Sequence, residues 1–322
     1  MWKKWNLVII ALISLGVIYF GNVKNIFAAN FPEKPIKIIV PFSPGSGIDA
    51  EARGIAPYLQ KNLGVTVTIE NIPGADGRIG LTRAWKANPD GYTYVMHTTT
   101  MSLIGEALFN PEYRVLDFSR IFSWTSFNQV LVVNNDSWKN LDEFTKAART
   151  STLSVGMPGR GSASHLMGLI LVDGLGIKVN WVPFDGGAGA ITALAGKHID
   201  FASVATTTAL PLVKANKLRP LLVLADQKDP VFPEIPISKD LGYQFPSIPT
   251  LRGIDGPPKM EMSKIKVIEA AFAKSIKEPD YVAFAKRRMT DLIPLYHEAY
   301  QKAIERQHKE VEKYKGYFKE EK

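Results

Sequence analysis

The chain has 322 residues, 46% hydrophobic and 22% charged, with a formal net charge of +8 and no cysteine. These values exclude a disulfide scaffold, a lipid-modified amino-terminal cysteine and a low-complexity polymer, and they leave room for two α/β cores. The basic excess is modest, and the last stretch, Gln301–Lys322, mixes basic and acidic residues at helical spacing. That pattern describes a solvated helix face, so no nucleic acid is expected as a partner.

At the start of the chain, Met1–Asn6 carries Lys3 and Lys4, Leu7–Gly21 is uncharged, and Val23–Asn30 contains Ala28 and Ala29. Basic, apolar and small residues in that order describe a secretory signal over residues 1–28. The apolar run rises about 22 Å as a helix, short of the ~20 residues that span a bilayer. The expectation is an exported, periplasmic protein; an uncleaved amino-terminal membrane anchor is the alternative.

Strand and helix patterns then alternate. Ile36–Pro41 reads as a buried strand, and Ile48–Leu63 as a helix with Ile48, Ala52, Ile55, Ala56, Leu59 and Leu63 on one face, kinked at Pro57. Val65–Glu70 is a strand, Arg78–Ala87 a helix, Asn88-Pro89-Asp90-Gly91 a turn and Tyr92–His97 a strand. A second series follows: strands at Leu131–Val133, Leu153–Gly156, Val179–Phe184, Ile199–Val204 and Arg219–Ala225. Helices at Leu141–Arg149, Ala163–Leu175 and Ala188–Ala195, and a stretch ending at Ala215, separate them. The proline-rich segment from Pro230 to Pro258 reads as a return crossing, followed by a helix at Ser263–Ile276. This order predicts an α/β protein of two lobes, each a mainly parallel sheet flanked by helices. Residues 30–129 plus 248–322 form lobe 1 and 130–247 lobe 2. The crossings fall near Phe127–Val130 and Ser247–Arg252, with a ligand cleft between the lobes.

Three loops place small residues directly before a helix: Phe42-Ser43-Pro44-Gly45-Ser46-Gly47, Pro158-Gly159-Arg160-Gly161-Ser162-Ala163-Ser164, and Phe184-Asp185-Gly186-Gly187. A helix start offers about four unpaired N–H groups and roughly half a positive charge, so it attracts an anion. Asp49 and Ser162 could equally be ordinary helix caps. The spacing Gly45-x-Gly47-x-x-Ala50, with Glu70 ending the next strand, is also close to a dinucleotide fingerprint. Against an enzyme, no nucleophile elbow, phosphate loop or His-Glu-x-x-His motif occurs, and His97, His165, His198, His297 and His308 show no metal-ligand spacing. No cofactor, no metal and no catalytic residue is expected.

Several segments in order resemble one family, the extracytoplasmic solute-binding proteins of tripartite tricarboxylate transporters (the Bug family). They are FPEKPIKIIVPFSPGSGIDAEAR, VTIENIPGADGRIG, NPDGYT, SASHLMG, VPFDGGAGAITALAGKHIDF and ALPLVKANKLRPLLV. The resemblance implies a type II-like periplasmic-binding fold that closes on a small carboxylate, a membrane permease as partner, and a monomer. It implies that backbone N–H groups, hydroxyls and water hold the ligand, rather than arginine. Carried over by position, the contacts are Phe42, Ser43, Pro44, Gly45, Ser46 and Gly47, with Asp49 supporting the helix, and Thr98, Thr99 and Thr100. From the second lobe come Ser162, Ala163, Ser164, His165, Phe184, Asp185, Gly186, Gly187, Thr206 and Thr207.

The chain departs from the family at Gly45-Ser46, where a Gly-Gly pair is usual, and at Phe184-Asp185, where Tyr-Lys is usual. It also departs at Val204-Ala205, where an Asp-Asn pair is common. An aspartate near the cleft and a lost polar pair predict a monocarboxylate, or an aromatic or partly apolar acid, rather than a tricarboxylate. A ligand-sensing subunit for a membrane signalling protein would need the same closing cleft.

Overall fold

The computed structural model describes residues 31–159, 161–288 and 290–320; the expected signal over 1–28 lies outside them. The first half runs β1 (Ile36–Val40), α1 (Gly47–Leu63), β2 (Val67–Asn71), α2 (Arg78–Trp85), β3 (Thr93–Thr98), α3 (Thr99–Phe109), β4 (Ser119–Phe127), β5 (Gln129–Asn134) and α4 (Leu141–Thr150). It continues with β6 (Leu153–Met157), α5 (Ala163–Leu175), β7 (Val179–Pro183), α6 (Gly187–Ala195), β8 (Phe201–Ala205), α7 (Thr206–Lys214) and β9 (Leu218–Leu224). The remainder is β10 (Thr250–Gly256), α8 (Met262–Ser275), α9 (Pro279–Arg287), β11 (Leu295–Tyr296), α10 (His297–Tyr314) and α11 (Tyr317–Glu320). Among the described residues, no helix is long and apolar enough to cross a membrane.

The strands form two sheets, ordered β11-β4-β10-β3-β1-β2 and β7-β6-β8-β5-β9. Both are mixed rather than mainly parallel. Strand β1 pairs parallel with β2 and β3, and β6 parallel with β7 and β8, as the βαβ pattern predicts. The strands that enter or leave a lobe, β4, β5, β9 and β10, run antiparallel to their neighbours. The sequence reading missed β4, β10 and α3. Strand β10 sits just after a proline-rich run, and α3 begins in the same Thr98-Thr99-Thr100 run that ends β3.

Passage from the first sheet to the second takes one residue, Asn128, between β4 and β5. Its side chain donates to Asp229 Oδ2 at 2.8 Å, and its carbonyl accepts the Thr206 N–H at 3.0 Å. The outward crossing is thereby tied to the loop after β9 and to the start of α7. A separate apolar cluster lies within each lobe, while a third joins them: Val95, Leu103 and Ile104 of the first lobe pack in one core with Leu131, Leu166 and Ile170 of the second and Tyr300 and Ile304 of α10. The lobes are therefore fused along α3, α5 and α10 by continuous burial, and the cleft opens beside that seam.

Local chemistry explains the helix that faces the cleft. In α1 the buried Ile48, Ala52, Ile55, Ala56 and Leu59 recur at helical spacing. Ser46 caps the start, accepting from the Asp49 N–H, and Gly64 at φ +72° ends the helix by donating to Gln60. A side chain at Gly54 would meet Phe284 of α9 at 2.7 Å, so glycine there lets α9 close against α1.

Candidate functional site

Two adjoining cavities lie between the lobes, sharing Met101, Pro158 and Ser162 as walls. The first, about 370 Å³, is ringed by the starts of five helices: Gly47 of α1, Thr98 before α3, Ser162–Ser164 at α5, Gly187 of α6, and Thr207 and Thr208 of α7. Each helix start presents unpaired N–H groups and a partial positive charge, so the convergence favours a small anion.

Individual hydroxyls are already committed to different degrees. Ser162 Oγ accepts the His165 N–H at 3.1 Å, which caps α5 and leaves the hydroxyl proton to donate elsewhere. Ser164 is buried and donates to Gln129 Oε1 at 2.6 Å, while Gln129 donates on to Thr250 Oγ1 at 3.2 Å. That chain of bonds fixes Ser164 against the first residues of both crossing strands, and its hydroxyl can offer a ligand only an acceptor. The hydroxyls of Thr98, Thr125, Thr207 and Thr208 line the cavity and make no hydrogen bond among the described residues.

The first lobe adds charge that sequence reasoning missed. Arg252 on β10 pairs with Glu51 of α1, and Glu51, almost fully buried, also accepts the Trp124 Nε1–H at 3.0 Å. A side chain placed at Gly47 would lie 3.7 Å from Arg252 Nη2 and 4.0 Å from Arg288 Nη2, so two guanidinium ends flank the start of α1. Arg252 Nε is buried with no partner among the described residues. Asp291 completes the charged wall; burial and the nearby Asp229 push its carboxyl above the ordinary aspartate range. Arginine thus lines this cavity beside the hydroxyls and helix starts. The segment that holds Arg252, TLRGIDG, is a strand within a stretch read only as a crossing.

The sequence-predicted residues divide into three groups. Gly47, Thr98, Ser162, Ala163, Ser164, Gly187 and Thr207 line the first cavity. His165, Phe184, Asp185 and Gly186 line the second, with Ser162 shared. Phe42, Ser43, Pro44, Gly45, Ser46, Asp49, Thr99, Thr100 and Thr206 line neither.

The third group has physical causes. Asp49 is buried beneath its loop, accepting from Gly45 N at 2.8 Å, Asn71 Nδ2 at 2.8 Å and Arg53 Nε at 3.1 Å. Burial alone would raise its carboxyl, but the Gly45 N–H, Asn71 and Arg53 together hold it below the ordinary range. Ser46 caps the same helix. Thr99 is hydrogen-bonded to Tyr300 at 2.7 Å, Thr100 donates to Gln307 at 3.0 Å, and Thr206 is fully buried. Asp185 belongs to the second cavity, and Thr207 and Thr208 give the α7 wall hydroxyls.

His97 lies 2.7 Å from Ser102 Oγ through Nδ1 and 2.7 Å from Asp255 Oδ2 through Nε2, an order resembling nucleophile, base and orienting acid. All three are buried, Arg120 pairs with the same Asp255 oxygen, and Ser102 faces neither cavity. The cluster is a buried ionic layer beneath α3 without access for a substrate.

The sequence profile described as "Tripartite tricarboxylate transporter family receptor" matches residues 51–319. A solute-binding protein of that type from Polaromonas superposes with a TM-score of 0.82 at 28% identity, covering 90% of this chain and 99% of that one. The MatC protein of Rhodopseudomonas palustris, solved with bound malate, gives a TM-score of 0.66 at 26% identity, covering 90% and 99%. Among curated relatives, protein BugT of Bordetella pertussis is 28% identical over 297 residues, 88% of this chain and 90% of that protein.

Proposed function

This chain belongs to the tripartite tricarboxylate transporter family of receptors, and we propose that it captures a small organic carboxylate in the first cavity, outside the cytoplasmic membrane, and delivers it to an integral-membrane permease. The observation that carries this reading is the convergence of five helix starts on one cavity of about 370 Å³, with Arg252 and Arg288 beside the start of α1. Residues 30–129 plus 248–322 and residues 130–247 serve as the two lobes, connected at Asn128 and at the return from β9 to β10. A carboxylate fits because it accepts hydrogen bonds only, and the cavity offers donors from both lobes: backbone N–H groups, Ser162, threonine hydroxyls and guanidinium. That MatC is solved with malate supports a small acid of this class.

The test is calorimetric titration of the purified mature protein with malate, succinate, citrate, benzoate and NAD. One or more of the carboxylates is expected to bind at a single site, with no heat from NAD. Binding of NAD with silence from every acid would overturn the reading in favour of the dinucleotide alternative. Deletion of the gene is further expected to lower uptake of the acid that binds.

A further inference from the structure

We propose that the second cavity is a subsite for the apolar body of the ligand, so that the physiological substrate is a monocarboxylate carrying an aromatic or branched aliphatic group. The inference rests on the carboxylate reading of the first cavity and extends it. The second cavity is the larger, about 760 Å³, and adjoins the first, with Met101, Pro158 and Ser162 lining both. Its chemistry is different. One wall is the side of α3, with Ile104, Leu108 and Phe109; Phe184 and Phe318 face it from the second lobe and the carboxyl-terminal helix. The lobes come close at this neck: a side chain at Gly161 would lie 3.7 Å from both Ile104 and Leu108. An acid held at the helix starts would therefore point its body between α3 and the Phe184 loop.

Charge argues against a second carboxylate there. The cation among the described lining residues is Arg78, and it is engaged on both sides. Its guanidinium carbon stacks 3.8 Å from the Phe109 ring centre, and Nη1 lies 3.4 Å from Asp76 Oδ2. Asp76 and Asp185 also line this cavity. The His165 ring accepts the Gly161 N–H through Nδ1 at 3.1 Å, so that nitrogen carries no proton to donate. An apolar body gains from leaving water among these side chains, whereas a second anion would meet two carboxylates.

Calorimetry with three probes tests this. Propanoate reaches only the first cavity, 3-phenylpropanoate adds an apolar body, and adipate adds a second carboxylate. We expect 3-phenylpropanoate to bind at least about tenfold tighter than propanoate, as burial of a phenyl group implies, and tighter than adipate. Leu108→Trp, which fills the cavity, is expected to bring the phenylpropanoate-to-propanoate affinity ratio towards one. Phe318→Ala, near the end of the chain, is expected to lower that ratio several-fold should Leu108→Trp fail to fold. Equal affinity for propanoate and 3-phenylpropanoate, a preference for adipate, or a ratio unmoved by either variant would overturn the inference while leaving the carboxylate reading intact. No binding of any acid by the folded protein would overturn both.

Discussion

The two walls of the first cavity differ in charge. From the first lobe come the four charged lining residues, Glu51, Arg252, Arg288 and Asp291, beside neutral ones such as Gly47, Thr98 and Thr125; from the second come Pro158, Ser162, Ala163, Ser164, Gly187, Ala205, Thr207 and Thr208, none of them charged. The contrast continues behind the walls. On the α3 face of the first lobe's sheet lies the buried layer of Arg120, Asp255, His97 and Ser102, while Ser164 of the second lobe's wall is held in the neutral Ser164–Gln129–Thr250 chain. Buried charges must be paired while the cavity is empty, whereas helix starts and hydroxyls tolerate either state. The buried charge of the first lobe's wall is therefore held by the Arg252–Glu51 pair, and the second lobe presents helix starts and hydroxyls that need no such pair.

The largest expected effect lies in that asymmetry of support. Asp255→Ala leaves Arg120 buried without its carboxylate and removes the acceptor from His97 Nε2, at an expected cost of about 3–5 kcal/mol in unfolding free energy. Ser164→Ala breaks one neutral buried bond, at about 1 kcal/mol. Urea titrations of the two variants would measure both, and equal losses would remove the distinction between the lobes.

An intermediate effect separates stability from affinity. Glu51→Gln keeps an oxygen to accept from Trp124 but takes the negative charge from Arg252. The empty protein is expected to lose roughly 1–3 kcal/mol, because Arg252 is then less well compensated. A bound carboxylate would supply the missing charge, so anion affinity is expected to rise about tenfold. Changes of opposite sign in melting and in titration would sharpen the view that Glu51 stands in for the ligand at rest; loss of both would break it.

These residues also show what the sequence made legible. The loops Gly45–Gly47, Gly161–Ser164 and Phe184–Gly187 were visible because glycine and serine directly before an apolar period mark a helix start. All three helices begin within a residue of the expected places. What each loop residue does was not visible. Ser46 and Asp49 look like ligand contacts in a string, yet their hydrogen bonds close the loop on itself, and only tertiary neighbours such as Asn71 decide that. Thr98, Thr99 and Thr100 are identical in type, and the start of α3 puts one towards the cavity and two towards α10. Arg252 and Glu51 are 201 positions apart, so no local pattern joins them. Nor does spacing reveal that the cleft divides into two cavities.

The smallest expected effect belongs to Asp291, at the rim of the charged wall. Its carboxyl sits above the ordinary aspartate range, because burial and Asp229 both oppose ionisation in the folded protein. Below that folded value the group is neutral and above it negative, so affinity for an anionic ligand should fall as pH rises through it. Asp49 changes in the opposite direction. Its carboxyl is held low, so its contribution to stability is present above the ordinary aspartate value and is lost only as pH falls through the depressed one. The loop over α1 is therefore intact throughout the window in which Asp291 titrates, and a fall in affinity there reports charge rather than unfolding. Asp291→Asn should abolish that fall and raise affinity at neutral pH by about two- to threefold, an effect reduced by salt because the group is near solvent. Titrations of both proteins from pH 4 upwards, at low and high ionic strength, would measure it. A pH profile unchanged by the substitution would place Asp291 outside the field felt by the ligand and leave Glu51 as the acid opposing Arg252.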